Sequence, residues 1–301
     1  MKKISSDKVI YTFKPKMEEV EKVLPDEIFQ VETNDCFYGQ IKKEEQLVTE
    51  VDFSRINPAT GPIYVENAEP GDILKVEILD IELPEKGVIV TVPGEGILGE
   101  MVERAKTNII EIDGDFCYFN GLKIPVTPMI GVIGVAPSDE TGEYPTGSPW
   151  KHGGNMDTKD ITVGSIVYFP VNQPGALLAL GDCHAVMGDG EVCVAGCEIN
   201  SKVTLKVNLI KRKKIEWPIV ETKDSWMIVA SGKNLEEASK EAVKYAVKYL
   251  ETGLKISWDD AYMLSSMILD LKISQVVDPN KTVRAVIPKS ILSLRNLFEK
   301  L

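Results

Sequence analysis

The chain has 301 residues, 44% of them hydrophobic and 27% charged, with a formal net charge of -12. That length suffices for one large domain or two ordinary ones with a sizeable core. The acidic balance argues against nucleic acid and against an anionic membrane surface as partners.

At the N-terminus, "MKKISSDKVIYTF" has two lysines but no continuous apolar core, because Asp7 and Lys8 interrupt it. It therefore does not read as a signal peptide. No apolar run approaches the roughly 18 residues of a membrane span. Five cysteines (Cys36, Cys117, Cys183, Cys193 and Cys197) form no framework and read as reduced thiols of a cytoplasmic chain. Residues 52–72 hold "NPATGPIYV", a rigid loop entering a strand, where Thr60 or Tyr64 faces a ligand or simply shapes a turn. In "ILKVEILDIEL" (73–83), Leu74, Val76 and Ile78 alternate with Lys75 and Glu77, a strand pattern. Strands are also expected at 88–92, 160–169 and 202–210, and two more around a polar turn within 215–231. Turn signals stand at 70–72, 93–96 and 113–115.

Helices come late. Residues 234–253 open on Asn234 with Glu237 three residues on, carry an apolar stripe through Ala238, Ala242, Tyr245 and Tyr249, and end at Gly253 as C-cap. Ser257 caps a second helix over 257–271, and Pro288 opens a third over 288–301. The fold class that follows is mainly β with a smaller α/β part (α+β): sandwich or barrel-like units with C-terminal helices. We divide it into a β-rich region, 1–215, and an α/β region, 216–301, packing on it.

Chemistry concentrates in "GDCHAVMGDGE" (181–191), a titratable run set between apolar stretches. On a strand, Asp182 and His184 share a face and Cys183 points away. A tight Asp189-Gly190 hairpin returns Glu191, Cys193 and Ala195 to the His184 face, with Ala195 opposite His184. One imidazole and two carboxylates on one surface make a metal-ligand or acid–base set. The alternatives are a solvated polar hairpin, or a core histidine paired with Asp182. Cys193 and Cys197 read as small apolar strand residues rather than half of a zinc site. In "PWKHGGNMDTKD" (149–160), Gly153 and Gly154 suit a backbone anion nest, Asn155 a donor, and Asp157 a metal ligand or base; a plain turn is the competing reading. The strand expected at 160–169 would bring Asp157 beside Asp182 and His184.

These two motifs, with "GVIGVAP" (131–137) and "NPATGPIYVENAEPGD", resemble the acetamidase/formamidase family in the same order along residues 50–215. The resemblance implies hydrolysis of short aliphatic amides to carboxylate and ammonia by a cytoplasmic homo-oligomer, a dimer or a multiple of one. It implies a divalent metal, zinc with calcium as the second candidate, held among Asp182, His184, Asp157 and Glu191. Asp157, Glu191 and Asn155 are then the catalytic candidates. Gly153, Gly154, Trp150 and Tyr144 are the substrate-binding ones, in a small, partly apolar pocket. Ala185 and Met187 replace a bulkier motif of formamidase-type members and lean toward acetamide. Two readings from other classes compete: metal-free cysteine catalysis by Cys183, and a non-catalytic β-sandwich binding module with a structural metal.

Overall fold

Along the Ile73–Glu82 strand, Leu74, Val76 and Ile78 are buried while Lys75 and Glu77 are half-buried, as the alternation requires. In this computed structural model, which describes residues 1–301, that strand lies near the middle of a nine-stranded sheet. Ser201–Ile210 pairs with it on one side and Ile166–Pro170 on the other. An 11-stranded sheet is built around Leu178–His184, which pairs with Met129–Gly134, Ala59–Val65 and Glu198–Ile199. The two sheets share a core of 34 buried apolar residues, with Val31, Val76 and Leu205 from the first and Ile130, Leu178 and Leu180 from the second. Each fully buried side chain of this size contributes about 1.5–3 kcal/mol of transfer free energy. The mainly β, sandwich-like expectation holds.

The nine-stranded sheet continues past residue 215 through Ile219–Glu221, Ser225–Gly232, Lys281–Pro288 and Asp270–Gln275. A helix, Leu235–Leu254, covers that end and buries Ala238, Ala242, Tyr245 and Tyr249 against Trp217 and Trp226, in a second cluster of 23 residues. The sheet therefore runs across residue 215, with Val220 and Val229 in the first cluster and Ile73 and Tyr168 in the second. Asn234 caps the helix by accepting from the Glu237 N–H. No helix is long and apolar enough to cross a membrane.

Four boundaries differ from the sequence reading. The first helix ends at Lys255 in the left-handed conformation, and Gly253 lies inside it, packed against Leu292. The second runs Trp258–Ile268 only, because Asp270–Gln275 is claimed by pairing with Lys281–Pro288. Pro288 ends that strand, and the last helix, Leu294–Phe298, waits for Ser293 as its cap. The strand expected from 160 begins at Ile166, after a turn through Gly164.

Candidate active site

All seven residues of the Leu178–His184 strand are buried. Cys183 faces the core, where its sulfur accepts from the Thr33 hydroxyl at 3.6 Å and burial pushes the thiol pKa up to about 12. On the other face, His184 Nε2 lies 3.5 Å from Asp182 Oδ1. The strand parity is as expected; the hairpin is not. Residues 185–197 form a long loop, and the residue opposite His184 is Glu198, not Ala195. Glu198 Oε2 stands 3.2 Å from His184 Nε2, and its Oε1 accepts the Gly196 N–H at 3.0 Å. Cys193 turns away, toward the Val90 and Ala195 carbonyls. Glu191 nevertheless returns to the site from the loop.

Asp157 arrives by a different route from the expected one. Ile166–Pro170 belongs to the other sheet. Asp157 instead follows Gly153–Asn155, which pairs with Met129–Gly134, itself the neighbour of Leu178–His184. Its Oδ1 lies 4.0 Å from His184 Nε2. Gly131 makes the room: a Cβ there would meet Asp157 Oδ1 at 2.3 Å and Asp182 Oδ2 at 3.0 Å. Asp157, Asp182 and Glu191 all have left-handed backbones, with φ of 38°, 53° and 47°. Three such non-glycine residues in one cluster are the kind of strain held at functional sites.

Two groups of ligand-type atoms result, Asp157–His184–Glu191 and Cys36–Asp182–Glu198, each within 4.8 Å of one another. Asp278 joins them from the loop between Asp270–Gln275 and Lys281–Pro288. Buried oxygens on all five carboxylates, and both His184 nitrogens, lack a directed hydrogen bond. Burial raises Asp157 to about 7, helped by the Asp182 charge, and raises Glu198 to about 8. Glu191 and Asp278 are pushed well above the usual carboxylate range by burial and by Asp157. Burial opposes charge on His184 too, but Glu198 and Asp182 outweigh it and hold its pKa well above the ordinary value. Isolated buried charges cost several kcal/mol each unless paired or coordinated. Unpartnered carboxylates grouped with an imidazole, and a thiol beside them, are a donor set that fits a divalent cation.

Above this floor opens a cavity of about 550 Å³, larger than the small pocket expected. Asn155, Asp182, Glu191, Glu198 and Asp278 line it; Asp157 and His184 lie beneath. Trp150 and Tyr144 do not reach it: they stack on each other, Trp150 also against Trp217 and Tyr144 against His152. Gly153 and Gly154 do not reach it either. With φ of 97° and 86°, they let the backbone pack where a Cβ would strike the Ile133 and Ser148 carbonyls. Thr60 donates to the Glu32 carbonyl and Tyr64 covers Gly175, so both shape the fold. His152 is buried beside Phe13 and Tyr144 with neither nitrogen partnered, and burial lowers its pKa to about 3.

The loops carrying the carboxylates are stapled together by a buried cation. Arg284 reaches Asp160 and Asp189 at 2.6 Å each and donates to the Ile273 carbonyl at 2.8 Å. Ser274 adds a hydroxyl contact to Thr158 at 2.8 Å and a carbonyl to the Gly190 N–H at 2.8 Å. Asp189, expected at a hairpin tip, is exposed and pairs with the buried Arg284. Sequence reasoning missed Cys36, Glu198, Asp278 and Arg284; only Glu198, seven residues past the titratable run 181–191, stood near a signal.

The acetamidase/formamidase family model matches residues 2–145 and 142–294. The crystal structure of an acetamidase from Bacillus halodurans has 43% identity and a TM-score of 0.93, covering 96% of this chain and 97% of that one. The formamidase of Methylophilus methylotrophus is 27% identical, over 92% of this chain and 88% of its own length. A putative formamidase of Schizosaccharomyces pombe is 29% identical over 62% of this chain, and the match spans 60% of that relative's length.

Proposed function

This chain belongs to the acetamidase/formamidase family, and from that premise we propose that it hydrolyses short aliphatic amides such as acetamide and formamide. Amide and water give carboxylate and ammonium: the C–N bond breaks, a C–O bond forms, and protons pass to the departing nitrogen. The observation that carries this reading is the convergence of Asp157, Asp182 and Glu198 on His184 Nε2, at 4.0, 3.5 and 3.2 Å, under an accessible cavity.

In this reading Asp157, His184 and Glu191 hold a divalent cation, with Asp182 alongside; zinc suits an imidazole–carboxylate set best, and calcium is the second candidate. Such a cation, when bound, supplies Lewis acidity toward a carbonyl and a water of lowered pKa. The protein's own groups do the rest. Asn155, on the cavity floor, orients the amide by hydrogen bonding. Glu191 and Glu198 line the cavity; Glu198, outside the cation's ligand set, holds the proton that the nitrogen needs in order to leave. Asp157 lies beneath and serves the cation rather than the substrate. Cys183, turned to the core, takes no part.

Five free cysteines support a cytoplasmic setting. The exposed Trp258, Tyr262, Met263 and Met267 of the Trp258–Ile268 helix support a homo-oligomer, a dimer or a multiple of one. Ammonia release from formamide, acetamide and propionamide tests the activity. Release from at least one by cation-replete protein is expected; none from any would reject the reading.

A further inference from the structure

The cavity is generous for a substrate of one or two carbons. Sites of about 300–1,000 Å³ hold ligands of drug size, so acetamide leaves most of the 550 Å³ to water. Its two sides differ chemically. One is the carboxylate floor. The other is apolar: Phe37, Val48, Val90 and Ala195 are buried and, with Cys36, belong to a separate cluster of seven apolar residues, and all five line the cavity. Half-buried Val92 and Val194 extend this wall. Phe53, also a lining residue, is 57% exposed and so stands at the rim.

Resting on the amidase reading above, we propose that the preferred substrates are primary amides with an apolar acyl group, a chain of about four to six carbons or an aryl-alkyl group, rather than acetamide or formamide. The amide N–H groups meet acceptors on the floor, and the acyl group displaces water from the Phe37–Val48–Val90 wall. An acyl group bearing its own carboxylate would have to be desolvated against that apolar wall, which disfavours it. The reaction is that of the parent amides, with no further co-reactant than water.

The test is kcat/KM for acetamide, butyramide, hexanamide, phenylacetamide and succinamate, paired with thermal stabilisation of the cation-replete protein by each amide. Buried methylene groups predict a rise of roughly three- to fourfold per methylene from acetamide to hexanamide. Succinamate should be the poorest of the series. Val48→Phe, which fills the wall, should cut the hexanamide-to-acetamide ratio at least tenfold; Phe53→Ala at the exposed rim should lower it more modestly and guards against a folding defect in the first variant. Turnover with a hexanamide-to-acetamide ratio at or below one overturns the inference and leaves the amidase reading standing. Hexanamide stabilising the protein more than acetamide, with no amide turned over, upholds the apolar subsite and rejects the amidase reading. Neither turnover nor chain-length dependence in binding rejects both.

Discussion

Gly131→Ala tests whether the closeness of the site carboxylates matters. Gly131 sits in the buried Met129–Gly134 strand with no positive φ, so alanine adds a methyl group without backbone strain. That methyl falls 2.3 Å from Asp157 Oδ1, 2.7 Å from the Asp182 carbonyl and 3.0 Å from Asp182 Oδ2. Ordinary contact begins about an ångström further out, so both the Asp157 carboxylate and Asp182, which falls between the paired residues of its strand, must give way. Asp157 must therefore swing by roughly 1 Å, and a misplacement of that size costs about 100-fold in rate. Overpacking should cost about 1–3 kcal/mol of stability. Ammonia release, bound-metal content and melting temperature are to be measured beside Gly188→Ala, where the added methyl meets nothing within 4 Å. Wild-type kcat/KM with unchanged metal content in Gly131→Ala would refute the reasoning.

His184→Ala should abolish most activity and lower metal content, and Asp157→Asn, which removes a charge that serves the cation, should lower metal content and activity together, whereas Cys183→Ala should leave both measures nearly intact; an inactive, metal-replete Cys183→Ala would restore the thiol reading. Arg284→Lys keeps the charge but cannot span Asp160 and Asp189 together, so metal affinity by competition titration should fall about 10–100-fold; unchanged affinity would make Arg284 purely structural. Burial lowers His152 from 6.5 to about 3, so the folded chain keeps it neutral while the unfolded chain protonates it. Its contribution is full above about pH 6.5 and is lost as pH falls toward about 3, at about 1.4 kcal/mol per pH unit. The difference in melting temperature between wild type and His152→Phe should therefore widen in favour of the variant from about pH 6 to pH 4; a pH-independent difference would contradict the assignment.

Much of this was legible in the chain, for local reasons. Alternation set the faces of residues 74–78, and strand parity alone set Cys183 apart from Asp182 and His184. The partner of His184 was not legible. Turn chemistry at Asp189-Gly190 suggests a tight hairpin, but Asp189 is claimed by Arg284, 95 residues away, and the loop runs on to Glu198. Asp278 and Cys36 reach the site through pairings distant in sequence, which periodicity does not encode. Trp150 and Tyr144 were expected as walls of a small, partly apolar pocket. Their apolar rings found better partners in one another and in Trp217 and His152.

The central claim is that the His184 cluster holds a divalent cation that amide hydrolysis requires. The most direct measurement is ammonia release from chelator-treated protein during stepwise return of zinc, with bound metal per chain determined on the same samples. Activity should vanish with the metal and return in proportion to the zinc bound, and His184→Ala should fail to recover either. Undiminished ammonia release from protein stripped of metal would contradict the account.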